Sequence, residues 1–249
     1  MSVAIIAGTA IYDIPGKTLK EERIETPYGS ALIYRVEGEA EDLIFLARHG
    51  IGHDTPPHKV NYRANIKALE MLGVKRVLAT NAVGSINTEI PPLGLTLVTD
   101  FLDFTSNREG TFFDGGDSGV KHVDMSITYC PTLNKQLLAL APSFDIDLRP
   151  EAVYVCTNGP RLESPAEIRM YAQLGADVVG MTGIPEATLA RELGLCYAAV
   201  AFSVNWAAGI EETIRFVPDS AGFDKIKANV LALFIETLRT TSDEGCCDR

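Results

Sequence analysis

The chain has 249 residues, 46% hydrophobic and 22% charged, enough to close one core without disulfides or a structural metal. Lys and Arg total 22 against 33 Asp and Glu, so 22 − 33 = −11, and with no basic run to offset that field duplex nucleic acid is not an expected partner. No stretch reaches the ~18 uninterrupted apolar residues of a membrane span. The start, Met1-Ser2-Val3-Ala4-Ile5-Ile6-Ala7-Gly8, lacks the basic region and apolar length of a secretory signal. Five scattered cysteines without a CxxC pair point to a reducing, cytoplasmic setting and no structural zinc.

In chain order, β-branched or apolar runs predict strands over Val3–Ala7, Ala31–Val36, Leu43–Ala47, Arg76–Thr80, Leu95–Thr99, Ala152–Thr157, Asp177–Met181 and Cys196–Val204. Several are apolar on both faces, as strands inside a covered sheet are. Between them, helical periodicity predicts helices over Asn61–Leu72, Leu133–Leu140, Pro165–Leu174, Glu186–Leu193 and Phe223–Leu238. In the last, Phe223, Ile226, Val230, Leu233, Phe234 and Leu238 share one face, so it should pack as a closing helix. Gly73 and Gly175 follow two of these segments, and Ser164-Pro165-Ala166-Glu167 supplies an N-cap with Pro in the first turn. The longest irregular stretch, Ser106 to Val120, is of a length that is usually functional or disordered. Residues 1–241 are expected to form one α/β domain, a mixed central sheet flanked by helices. Residues 242–249, with Cys246-Cys247, read as a frayed acidic tail without a function.

Four strand ends could carry chemistry. Ala7-Gly8-Thr9-Ala10 offers backbone N–H groups and a hydroxyl to an anion, although alone it fits a plain tight turn better. Arg48-His49-Gly50 brings a guanidinium fork and an imidazole donor to the end of a strand, where they could neutralise much of a dianion. The plainer alternative is a surface Arg beside a His that caps backbone. His49, His53 and His58 are spaced by four and five in a Pro-rich loop, which does not place them on one helix face for a metal. Thr80-Asn81-Ala82-Val83-Gly84-Ser85 runs from a strand into a turn of small residues, and Val178-Val179-Gly180-Met181-Thr182-Gly183 again ends a strand in a hydroxyl and a glycine. A dinucleotide site is disfavoured, because one glycine stands where G-x-G-x-x-G needs three. Together the four ends describe an oxyanion pocket.

These residues, with Thr26-Pro27-Tyr28-Gly29, Val60-Asn61-Tyr62-Arg63-Ala64-Asn65, Gly159-Pro160-Arg161-Leu162-Glu163 and Met181-Thr182 followed by Pro185-Glu186, resemble the trimeric purine nucleoside phosphorylases and their 5′-methylthioadenosine and 5′-methylthioinosine phosphorylase relatives. The resemblance covers nearly the whole chain. It implies that Thr9, Arg48, His49, Ala82 (through its backbone) and Thr182 hold inorganic phosphate as co-substrate, that Met181 lies under the ribose and that Asn205 reads the purine. Asn205, His49 and Arg48 are then the catalytic set, with no cofactor or metal. Glu163 could be a helix N-terminal charge or the acceptor for purine N1–H, and the motif favours the acceptor. His122 could be a loop residue or one lent to a neighbouring subunit's pocket, as in homotrimeric relatives. Trp206 reads as packing.

Two departures set the expectations. Ala7 and Ala10 stand where the family turn usually has glycines, and an alanine forced to positive φ would weaken phosphate binding. Around Asn205 the chain reads Phe202-Ser203-Val204-Asn205-Trp206, without the aspartates of methylthioadenosine enzymes. An amide can donate to O6 and accept from N7–H, so Asn205 favours a 6-oxopurine. All four histidines precede Asn205, and the segment from Thr213 to Val217 offers Ile214 and other apolar bulk that suit a 5′-methylthio group rather than a hydroxyl. The expected activity is phosphorolysis of a 5′-methylthio purine nucleoside. An inosine/guanosine phosphorylase and a catalytically silent nucleoside-binding protein are the alternatives.

Overall fold

Alternation along the first strand shows how the core is built. In the computed structural model, which describes residues 2–9, 11–38, 42–52, 54–217 and 221–241, β1 spans Ser2–Ala7. Its Ala4 and Ile6 side chains enter one apolar cluster, while Val3, Ile5 and Ala7 enter a second on the opposite face, as the two-residue period of a strand requires. The first cluster is closed by Tyr62, Ile66 and Leu69 of α1 (Tyr62–Met71) and by Ala187, Leu189 and Ala190 of α4 (Gly183–Glu192). The second is closed by Leu133 and Leu137 of α2 (Pro131–Leu140) and by Val230, Leu233, Phe234 and Leu238 of α5 (Ala221–Thr240). A third, smaller cluster seats Ile168 and Tyr171 of α3 (Pro165–Gln173). The predicted amphipathic face of the last helix is thus the buried one.

The described residues form one mixed sheet of eleven strands with helices on both faces. Besides β1 these are β2 (Leu19–Thr26), β3 (Gly29–Val36), β4 (Asp42–Ala47), β5 (Val74–Ser85), β6 (Leu95–Val98), β7 (Asp100–Phe104), β8 (Leu148–Arg149), β9 (Val153–Thr157), β10 (Val178–Gly180) and β11 (Cys196–Trp206). Their order is β2-β3-β4-β1-β5-β10-β9-β7, with β11 branching from β5 toward β6 and β8.

Each predicted strand and helix is present, with ends that shift by a few residues. Three strands were not predicted. β2, read Leu-Lys-Glu-Glu-Arg-Ile-Glu-Thr, lies at a sheet edge with most of its charged side chains in solvent, so it carries little apolar signal. β7 is likewise terminal in the order and largely exposed, and β8 is two residues long. The Ser106–Val120 stretch holds only a 3₁₀ turn at Gly116–Ser118. It is tied down by Arg63 to Asp114 (2.8 Å) and by Thr111 Oγ1 and Phe112 N–H donating to Glu192, each at 2.8 Å. The acidic tail and Cys246-Cys247 lie outside the described residues.

The main topological correction concerns β5. The sequence suggests that Thr80–Ser85 leaves the sheet as a turn, whereas the strand runs on to Ser85 and pairs with β11 from Arg76 to the end. With β11 along one edge, β1 and β10 must share the other. β1 covers it through Ala79, and β10 takes it up again only at Gly84. Residues Thr80 to Val83 therefore present an edge of backbone groups that no strand covers.

Candidate active site

A cavity of about 500 Å³ opens at this gap, a size that suits a small-molecule ligand. Thr9, Arg48, His49, Ala82 and Thr182 line it together with Met181, Glu163, Asn205 and Ile214. Of the site residues that the resemblance implies, His122 lies elsewhere, in a separate groove with Lys121, Asp124 and Arg191.

Arg48 follows β4, and its N–H still donates to Ala7 O (2.8 Å). Its side chain is not the surface group of the plainer reading, being 1% exposed. Nε and Nη2 donate to the two carboxylate oxygens of Glu186 at 2.6 and 2.7 Å, a bidentate pair. Burial opposes the Arg48 charge, but the Glu186 carboxylate outweighs it and raises the guanidinium pKa. Glu186 is further held by Tyr197, whose hydroxyl donates to Oε1 at 2.8 Å. The Arg48 fork is therefore spent on Glu186 rather than wholly on an anion, as the sequence suggested. Nη1 remains, donating to Thr80 O at 3.2 Å on the open edge of β5. Backbone groups two residues apart on a strand point the same way, so the Ala82 N–H faces this edge too.

The Gly8 turn closes over the same guanidinium. A Cβ on Gly8 would lie 2.6 Å from Arg48 Nη1, and with the fork locked on Glu186 that nitrogen cannot retreat. Gly8→Ala is therefore expected to raise the KM for phosphate about tenfold, the cost of displacing one charged donor, in steady-state assays with varied phosphate. Ala7, by contrast, ends β1 in register with Ala47 and is not among the described residues with positive φ. The strain expected of it is absent. Ala10 lies outside the described residues.

His49 is buried, and its Nδ1 sits 2.8 Å from Thr55 O. A carbonyl only accepts, so Nδ1 carries the proton and donates. The histidine both caps backbone and lines the cavity. Thr182 is oriented from two sides. Its oxygen accepts from Asn81 Nδ2 at 3.1 Å, and its N–H donates to the Tyr154 hydroxyl at 3.1 Å, which also accepts from Gly183 N–H at 3.2 Å. With its oxygen engaged by Asn81, the Thr182 hydroxyl proton is left to donate outward. Asn81, Tyr154 and Glu186 were not assigned roles from sequence, though a glutamate among the apolar positions of a predicted helix is a signal that could have found Glu186.

At the other end, β11 carries Asn205, which is 4% exposed. Nδ2 donates to Trp206 O at 2.7 Å, which fixes the amide plane and leaves one N–H and the carbonyl oxygen of its hydrogen-bonding capacity. Glu163 precedes the Ser164 capping box of α3 and accepts from Thr157 Oγ1 through Oε1 at 2.7 Å, so it is tied to β9 while lining the cavity. Ile214 and Phe216 add apolar side chains to the lining of the same cavity. Among the described residues no group of three or more His, Cys, Asp or Glu side chains could hold a metal, and no helix is long and apolar enough to cross a membrane.

Residues 2–238 match the family described as the phosphorylase superfamily. A probable 6-oxopurine nucleoside phosphorylase from Moorella thermoacetica is 53% identical over 86% of this chain and 82% of its own length. A probable S-methyl-5′-thioinosine phosphorylase from Methanopyrus kandleri is 46% identical over 87% of this chain and 83% of its own. Among solved structures, a point mutant of the adenosine/methylthioadenosine phosphorylase of Schistosoma mansoni, in complex with methylthioadenosine, superposes with a TM-score of 0.87 at 30% identity. That match covers 97% of this chain and 93% of the other. The chain belongs to the phosphorylase superfamily and, within it, to the purine nucleoside phosphorylase family.

Proposed function

We propose that the protein cleaves 5′-methylthioinosine with inorganic phosphate, giving hypoxanthine and 5-methylthioribose 1-phosphate. The carrying observation is one cavity that joins the anion-facing set on β1, β4 and β5 to Asn205 at one end and to the apolar Ile214 and Phe216 wall. Phosphate held by Thr9, Arg48 Nη1, His49, the Ala82 N–H and Thr182 supplies the oxygen that bonds to the anomeric carbon. The bond from that carbon to the purine nitrogen breaks, and its electron pair leaves with the base. The phosphate charge stabilises the cationic ribosyl centre, and Met181 packs beneath it. Asn205 meets O6 and N7 of the departing purine, with Glu163 at N1–H. No step calls for a metal or organic cofactor. The working enzyme is a cytoplasmic homotrimer in which His122, remote from its own chain's cavity, serves a neighbour's.

The base assignment is supported by Asn205 and by relatives named for 6-oxopurine and methylthioinosine substrates. The 53% identity to a probable 6-oxopurine nucleoside phosphorylase favours inosine as the second reading. Measuring kcat/KM for 5′-methylthioinosine, 5′-methylthioadenosine and inosine at saturating phosphate separates them. Replacing the methylthio group by a hydroxyl against apolar side chains should cost about tenfold or more. Inosine as the best of the three would assign the Ile214 wall to packing, and methylthioadenosine as the best would overturn the role of Asn205.

A further inference from the structure

The Ser106–Val120 loop contributes one side chain that the proposed chemistry does not use. Arg108 reaches from it into the point where β9 and β10 part. The two strands pair in parallel through Cys156 and Gly180. Beyond them one branch runs from Thr157, the last residue of β9, through Asn158 to Glu163, and the other runs after β10 through Met181 to Thr182. Arg108 Nη2 donates to Met181 O at 2.9 Å on one branch and to Asn158 O at 3.0 Å and Thr157 O at 3.3 Å on the other. Nη1 donates to Ile184 O at 2.7 Å, and the guanidinium lies over the Tyr62 ring of α1 at 5.4 Å. One nitrogen, Nη2, thus bridges both branches, and the planar fork holds it in place through Nη1 on Ile184 O, an anchorage that an ammonium on a flexible stem lacks.

We propose that Arg108 is a positioning residue that sets the separation between the purine-facing wall (Glu163, through Thr157) and the ribose- and phosphate-facing wall (Met181 and Thr182). This rests on the phosphorolytic reading above. The substrate touches both walls at once, so a change in their spacing displaces the anomeric carbon from the phosphate oxygen. Four of the phosphate-facing residues, Thr9, Arg48, His49 and Ala82, stand on or after β1, β4 and β5, and their grip on phosphate is independent of Arg108.

Arg108→Ala and Arg108→Lys are to be compared with the wild-type chain in one assay of phosphate-dependent base release from methylthioinosine and inosine. The expected result is a kcat lowered roughly 100-fold in Arg108→Ala, the cost of about 1 Å of misplacement, with the KM for phosphate nearly unchanged and kcat raised again by added methylguanidinium but not by ethylammonium. Arg108→Lys should stay at least about tenfold below wild type, and it decides the matter if Arg108→Ala does not fold. A variant that melts lower but turns over at the wild-type rate would make Arg108 a structural tie and overturn the proposal. So would a loss confined to the KM for phosphate. A wild-type chain that releases no base would instead defeat the phosphorolytic reading, and the role of Arg108 with it.

Discussion

Asn205→Ala is expected to lower kcat for 6-oxopurine nucleosides by about 100-fold or more, the usual effect of deleting one preorganised donor that meets developing charge. The expectation rests on the preorganisation of the side chain. Asn205 is buried on β11, and its amide plane is fixed by the bond from Nδ2 to Trp206 O. It therefore needs no reorganisation when the purine accepts electrons. Because the interaction strengthens only as the bond to the sugar breaks, the loss should fall on kcat more than on the nucleoside KM. Asn205→Asp is the informative companion: a carboxylate accepts from a 6-amino group and repels O6. It should lower turnover of methylthioinosine while raising that of methylthioadenosine relative to it. Steady-state kinetics on the two nucleosides check both statements, and an Asn205→Ala enzyme with undiminished kcat on every purine nucleoside would remove Asn205 from the reaction.

Glu186→Ala is expected to destabilise the fold strongly. It leaves the Arg48 guanidinium buried without its carboxylate, at a cost of about 3–5 kcal/mol and roughly 6–20 °C in Tm for a chain of this size. The Tyr197 hydroxyl, which donates to Glu186 Oε1, loses its acceptor as well. Whatever folds should also bind phosphate poorly, because the fork released from Glu186 no longer holds Nη1 over the Gly8 turn and the Thr80 edge. Glu186→Gln keeps the acceptor oxygen and the shape but not the charge, and should lie between the two. Thermal denaturation with and without phosphate measures both effects. Equal melting of Glu186→Ala and wild type would show that Arg48 finds another way to be satisfied.

The parts of this arrangement that the sequence discloses are those governed by local pattern. The uninterrupted apolar run Val3–Ala7 marks a strand covered on both faces, and the spacing of Phe223, Val230 and Phe234 follows the helix period, so the strands and helices that build both faces of the sheet can be read directly. The residues at four strand ends could be grouped because each pairs small or polar side chains with the end of an apolar run. Side-chain partnerships across long separations could not be read. Arg48 and Glu186 are 138 positions apart, and nothing local states that the guanidinium is half consumed before an anion arrives. Nor does composition show that β5 keeps one paired edge to Ser85 while the other lies open from Thr80 to Val83, since this depends on where β1 stops and β10 begins. The concern over Ala7 failed for the same reason: its conformation is set by pairing with β4, and an extended backbone accepts a Cβ without strain. Charged edge strands such as β2 stay hidden because solvent, not the core, receives most of their side chains.

In the proposed reaction phosphate, not water, receives the sugar. The direct measurement is ³¹P NMR of the protein incubated with 5′-methylthioinosine and inorganic phosphate, with hypoxanthine followed in parallel and a second sample lacking phosphate. The expected result is a sugar 1-phosphate resonance growing in step with hypoxanthine, and neither product without phosphate. Hypoxanthine released at the same rate without phosphate would mean hydrolysis, and no product in either sample would mean binding without catalysis; each result would rule out phosphorolysis.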